Sequence, residues 1–207
     1  MRTLLLFMIV SLSMVSAQSN FEKEMTKAFE LWQSNQEVKA LQMFDSIAKT
    51  NPKEWLPHYY IAQMNSLKSW GVKDVGVLKA QLKKAQSHLD QAMSLSPDNT
   101  ELLVMQAQIL TNWVAYDGMT YGRKYSGIIT QLYNKATTLD PTNPRAAFCK
   151  ADWAMGSAKY FGRDTAPFCK DVKEALTLFD SFKPESDFHP NWGRERAEQV
   201  LVSCNKE

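Results

Sequence analysis

Three histidines, three cysteines and a scatter of carboxylates are the residues able to do chemistry in this chain of 207 residues. His58, His88 and His189 stand singly, and no His-x-x-x-His or Cys-x-x-Cys spacing accompanies them, so the sequence implies no metal site. The stretch "DGMTYG" (Asp117 to Gly122) lacks the lysine and the spacing of a phosphate-cradling loop, and nothing else in the chain implies a cofactor. Cys149, in "AAFCKADWAM", has no histidine near it in sequence to act as a base. A buried structural thiol is therefore the better reading than a catalytic one. Asp117, Asp152 and Asp164 could converge only through folding. An enzyme is not expected; the alternative is a hydrolase-like site assembled from loops.

The elements that would position these residues begin after an N-terminal segment of another kind. "MRTLLLFMIVSLSMVSA" carries basic Arg2, an apolar run from Leu4 to Val10, and Val15-Ser16-Ala17 in the small-x-small pattern of signal-peptide cleavage. The run is too short for the ~20 residues of a membrane span. Residues 1–17 are thus expected to be a signal peptide, cleaved after Ala17, with 18–207 a single exported domain that keeps no membrane span. No cysteine follows the cleavage position, so lipidation is not indicated. A formal net charge of +2 gives no basic stripe, and nucleic acid is excluded as the expected partner.

Beyond the signal segment the chain is periodic. Pro52, Pro97, Pro141 and Pro184 are separated by 45, 44 and 43 residues. Ten residues after the first three prolines stand Ala62, Ala107 and Ala151, and Ala28 fills the matching place upstream. Twelve residues before each proline fall Ala40, Ala85, Ile129 and Val172; five before fall Ile47, Ala92, Ala136 and Phe179. Small residues let two helices cross closely, larger ones such as Phe44, Leu89, Tyr133 and Leu176 fill the gaps, and proline ends the second helix. The spacing predicts helix pairs at 19–33 and 36–50, 55–69 and 75–95, 100–116 and 127–139, 144–159 and 169–182, with a closing helix from Asn191 to Cys204. Ser19 with Glu22, Asp98 with Glu101, and Asn143 before Pro144 are the expected N-terminal caps.

On these residues the chain resembles the tetratricopeptide repeat family: a small residue in each first helix, alanine with Phe44 or Leu89 in the second, and terminal prolines. The resemblance covers nearly all of the chain after residue 17. It implies an all-α fold, an α/α solenoid of four helical hairpins plus a C-terminal closing helix. The family repeat is 34 residues, and only the step from Ala28 to Ala62 matches it; later repeats are longer. The resemblance further implies that a protein or peptide partner lies along the first helices. The matching positions here are Trp32, Tyr59, Gln63, Val104, Gln108, Asn112, Arg145, Phe148 and Asp152.

The extra length falls at 68–76, 116–127 and 160–168, and stacked units should align these stretches as loops along one edge. "TYGRKY" and "YFGRD" put Tyr121, Arg123, Tyr125, Tyr160 and Arg163 there. Aromatic area with arginine is the composition of a binding edge; rings folded back to cap their own hairpin, with arginine stacked on them, are the preferred reading. In an alternating stack the closing helix runs antiparallel to the one before it. Cys204 then approaches Cys169 as a disulfide, with Cys149 left free. The expected function is a non-catalytic binding or scaffolding module of the periplasm or cell exterior, with an accessory subunit of an envelope assembly as another alternative.

Overall fold

The alanine and proline period becomes a stack of antiparallel helices in the computed structural model, in which residues 20–204 are described. The signal-peptide expectation and the Ser19 cap lie outside the described residues. Within them nine helices follow one another and no strand occurs: α1 over 20–33, α2 (Glu37–Thr50), α3 (Leu56–Ser69), α4 (Val75–Leu95), α5 (Thr100–Tyr116), α6 (Gly118–Leu139), α7 (Pro144–Tyr160), α8 (Ala166–Ser181) and α9 (Arg194–Cys204). Each helix from α2 onward packs on the next. In addition α3 packs on α5 and α5 on α7, so the first helices of successive pairs form an inner layer. No described helix is long and apolar enough to cross a membrane.

The small residues sit where the helices cross. Ala28, Ala40, Ala62, Ala85 and Ala107 are completely buried, and Ala151 is 2% exposed. Helix α5 is clamped on two sides. Its Leu102, Met105 and Ile109 join a core shared with α2, α3 and α4, while Leu103, Val104 and Ala107 join a second core with α6, α7 and α8. A helix apolar around most of its circumference needs such neighbours.

Caps define the ends, with one departure from expectation. Asn143 accepts a hydrogen bond from the Ala146 amide, as its position before Pro144 predicts. At α5 the cap is Asn99, which accepts from the Glu101 amide. Asp98 instead takes a left-handed turn, φ 58°, and binds Lys135 across 2.6 Å. Short polar side chains tolerate that backbone region, which frees the next residue to cap.

The largest correction concerns residues 116–127, expected as a loop. A single residue, Asp117, separates α5 from α6 and ends the one while capping the other. Its carboxylate accepts from the Thr120 amide at 3.0 Å, and bonds from Thr120 hold the acid below its ordinary pKa. Helix α6 therefore starts at Gly118, more than two turns earlier than the spacing predicts. Tyr121, Arg123 and Tyr125 are helical residues, not loop residues.

Between α8 and α9 the chain returns across the inner layer as an aromatic strap, residues 182–193. The Tyr60 hydroxyl donates to the Phe188 carbonyl at 2.6 Å, and the Trp192 indole N–H donates to the Tyr59 hydroxyl at 2.7 Å. Phe188 stacks on Phe29. The Phe182 ring lies 4.3 Å from the Arg145 guanidinium. Beyond the strap, Cys204 of α9 is disulfide-bonded to Cys169 of α8 with Cα atoms 5.9 Å apart, and Cys149 is free and buried.

Candidate functional site

The strap divides the inner face. On its side, at the N-terminal ends of α3, α5 and α7, Glu101, Asn143 and Arg145 pair with one another, and only Arg145 Nη1 among their buried polar atoms lacks a hydrogen-bond partner. Arg145 is fully buried; its Nε and Nη2 donate to the Glu101 carboxylate at 2.6 to 2.9 Å, and Asn143 Nδ2 donates to the same carboxylate at 2.6 Å. Removing one partner of such a pair strands a buried charge. Tyr59 and Phe148 are buried in the cores. Burial of Tyr59 pushes its hydroxyl pKa well above the ordinary value. These three residues, expected along a ligand groove, are instead internal, because the strap covers them or the adjacent helices enclose them. Trp32 is half-buried beside Phe29 and Tyr60.

Toward the C-terminal ends of the same helices the inner face is open. A cleft of about 1360 Å³ lies between the second halves of α3, α5 and α7, the first half of α6, and Trp192 with Arg196 at its far side. Gln63, Gln108, Asn112, Asp152, Arg123 and Tyr160 of the expected residues line it. Asn112 is spent on structure: its Nδ2 donates to the Ser66 carbonyl and to the Ser66 and Ser69 hydroxyls, tying α5 to α3. Gln108 lies over the floor, its Nε2 3.7 Å from the Cys149 sulfur.

Two kinds of residue give the cleft its character. Aromatic and apolar side chains stand around it: Trp70, Met119, Tyr160 and Phe161 are 60 to 75% exposed, and Trp153 is held by an indole N–H bond to the Thr130 hydroxyl at 3.1 Å. Glycines hollow it. Gly122, Gly127 and Gly156 are helical residues lining the cleft, and a Cβ added at Gly127 or Gly156 would meet nothing within 4 Å. At Gly122 it would meet only the Ser126 hydroxyl at 3.9 Å. Packing therefore does not require these glycines, although each weakens its helix relative to alanine. What their absent side chains leave is open volume. Gly118 differs, since a Cβ there would press on the Tyr160 ring at 3.3 Å.

Charge in the cleft is sparse. Arg123 is exposed and has no ion-pair partner among the described residues, and Arg196 reaches Asp152 only at 4.0 Å. Burial raises the Asp152 carboxyl pKa, with Arg196 opposing. Burial also pushes the Cys149 thiol up, with Asp152 adding to it, so this thiol stays protonated. No histidine lines the cleft.

The remaining edge residues pack rather than line. Tyr121 folds onto Trp113 of α5 with ring centroids 4.9 Å apart, Tyr125 stacks on Tyr121, and the Arg163 guanidinium lies 5.5 Å from the Phe161 ring. Trp70, Met119, Trp153 and Trp192 line the cleft without having been singled out in the sequence. For Trp192 the aromatic run in 182–193 is a signal that an inner face is being covered; for the others nothing local distinguishes them.

Comparison with protein-family profiles and with curated protein sequences gives no match. Among solved structures the chain is similar to the HusA haemophore from Porphyromonas gingivalis, with a TM-score of 0.75 and 20% sequence identity over 90% of this chain and 93% of that one. At that identity the likeness establishes the helical repeat-like fold.

Proposed function

We propose that this protein is an exported, non-catalytic carrier whose cleft takes a large, flat, mostly apolar anion of the tetrapyrrole class, with haem as the first ligand to test. The observation that carries the reading is the cleft itself. Ligand sites are concave, mostly apolar and furnished with a few polar groups, and this one adds aromatic faces and glycine-hollowed helix walls on which a planar macrocycle can lie. Arg123 and Arg196 are the groups available to its carboxylates. The similar fold of a haemophore supports the choice of ligand class. Export is supported by the N-terminal pattern and the Cys169–Cys204 disulfide. Catalysis is not part of the reading, since the cleft lining pairs a protonated thiol with no histidine.

Haem titration followed in the Soret band tests it. Saturable one-to-one binding is expected, weakened at least tenfold when Arg123 and Arg196 are both changed to Ala. Absence of saturable binding overturns the reading. A second reading rests on the exposed rim of Leu67, Trp70, Met119 and Phe161: an apolar peptide segment of a partner protein would seat there. In that case apolar peptides bind and haem neither binds nor displaces them.

A further inference from the structure

Away from the cleft, two of the three histidines meet. His58 on α3 and His88 on α4 bring their Nδ1 atoms to 3.1 Å, with ring centroids 5.4 Å apart and planes tilted by 34°. Thirty positions of sequence separate them, so no motif announces the pair. We propose that these two imidazoles form a chelating site for a borderline divalent transition-metal ion, such as Zn²⁺ or Ni²⁺.

The geometry carries this. Zinc–imidazole bonds are about 2.0–2.1 Å long, so two cis ligands of one ion stand about 2.9 Å apart at a right angle and about 3.3 Å apart at the tetrahedral angle. The observed 3.1 Å falls between those values. His58 is buried and His88 half-buried, both on packed helices rather than free on long tethers, so little ordering is needed to bind. Imidazole must be neutral to ligate; burial, and for His58 the neighbouring His88, favour the neutral form of both rings. Asp45 of α2 supplies a negative potential at both histidines, although its carboxylate is also paired with Lys49. No group of three or more His, Cys, Asp or Glu able to hold a metal exists among the described residues, so water completes the coordination. Such a site, short of the four protein ligands of a structural zinc site, is exchangeable. Neutral imidazole is the ligand type that suits zinc, copper and nickel over calcium or magnesium.

The test uses the full processed chain. Zn²⁺ is titrated by calorimetry while long-range ¹H–¹⁵N spectra follow the ring nitrogens. One equivalent is expected to bind, shifting the Nδ1 resonances of His58 and His88 together and leaving His189 in place. His58→Gln and His88→Gln should each weaken binding at least tenfold, whereas His189→Gln should not. If the rings share only a hydrogen bond, Zn²⁺ leaves both Nδ1 signals of the parent unmoved, and the proposal fails without any variant having to fold. It fails equally if the double His58→Gln/His88→Gln chain binds Zn²⁺ as the parent does.

Discussion

Glycines on the cleft wall should show opposite effects on stability and on ligand capacity. Gly122, Gly127 and Gly156 lie inside helices, where glycine costs about 0.8–1.0 kcal/mol relative to alanine. A Cβ at Gly127 or Gly156 has no atom within 4 Å, and at Gly122 the nearest is a flexible hydroxyl at 3.9 Å, so no clash offsets the gain. Changing all three to Ala should then stabilise the fold by about 2–3 kcal/mol, the sum of three separate helix terms. For a chain of this size that is a rise in Tm of about 4–12 °C, read by thermal unfolding in far-ultraviolet circular dichroism. The second arm fills the space: Gly122→Leu with Gly156→Leu places two branched side chains in the cleft, and Soret titration should find haem affinity at least tenfold lower in a chain that still melts at or above the parental temperature. An alanine variant that melts lower than the parent would refute the claim that these walls face open volume. A leucine variant that binds haem as the parent does would leave the volume intact and remove the ligand from it.

Other consequences follow from the closed half of the inner face and from the sparse charges. Arg145→Ala leaves Glu101 buried without its cation and should destabilise by about 3–5 kcal/mol in urea unfolding; a loss below about 1 kcal/mol would mean the pair is solvated. Replacing Cys169 and Cys204 by Ser opens a loop of 35 residues, for which chain entropy sets an upper stabilisation of about 4 kcal/mol, and the Tm of the variant should match that of the reduced parent. Asp152 has a folded-state pKa raised by burial, so it takes up protons more readily folded than unfolded. Its contribution is favourable below the unfolded value and lost as pH rises through the raised one. Asp152→Asn should flatten that part of the stability–pH curve above about pH 4, and at neutral pH it should tighten haem binding several-fold by leaving Arg196 to the ligand alone.

The repeat was legible because it depends on local requirements that each residue declares by type. Alanine at Ala62 and Ala107 is there to let backbones approach, proline at Pro97 and Pro141 to stop a helix, and both read the same in any context. Boundaries set by one competing hydrogen bond were less legible. Asp98 and Asn99 are both good caps, and only the left-handed turn at Asp98 decides between them. At Gly118 to Gly127 composition misled: three glycines and a turn-like "YDG" read as loop, while the Asp117 carboxylate caps a helix that runs through them.

Locating the cleft was harder for a different reason. The resemblance to stacked repeats assigns ligand contact to positions along the first helices, but it says nothing of how much of that face the rest of the chain covers. Residues 182–193 cover part of it, pinned by Tyr59, Tyr60 and Arg145, and these anchors are long-range partners of Trp192, Phe188 and Phe182 with no local signature. The open half is then shaped by what α6 and α7 omit. A side chain that is present can be weighed for size and charge in a sequence, whereas the value of an absent one depends on whether the neighbouring helix also withholds its own. Gly122 and Gly156, 34 residues apart, matter only because α6 and α7 turn both toward the same space. Binding capacity of this kind is a property of paired omissions. The glycines of α6 and α7 are therefore the positions at which the helix-stability cost and the ligand volume must be weighed against each other.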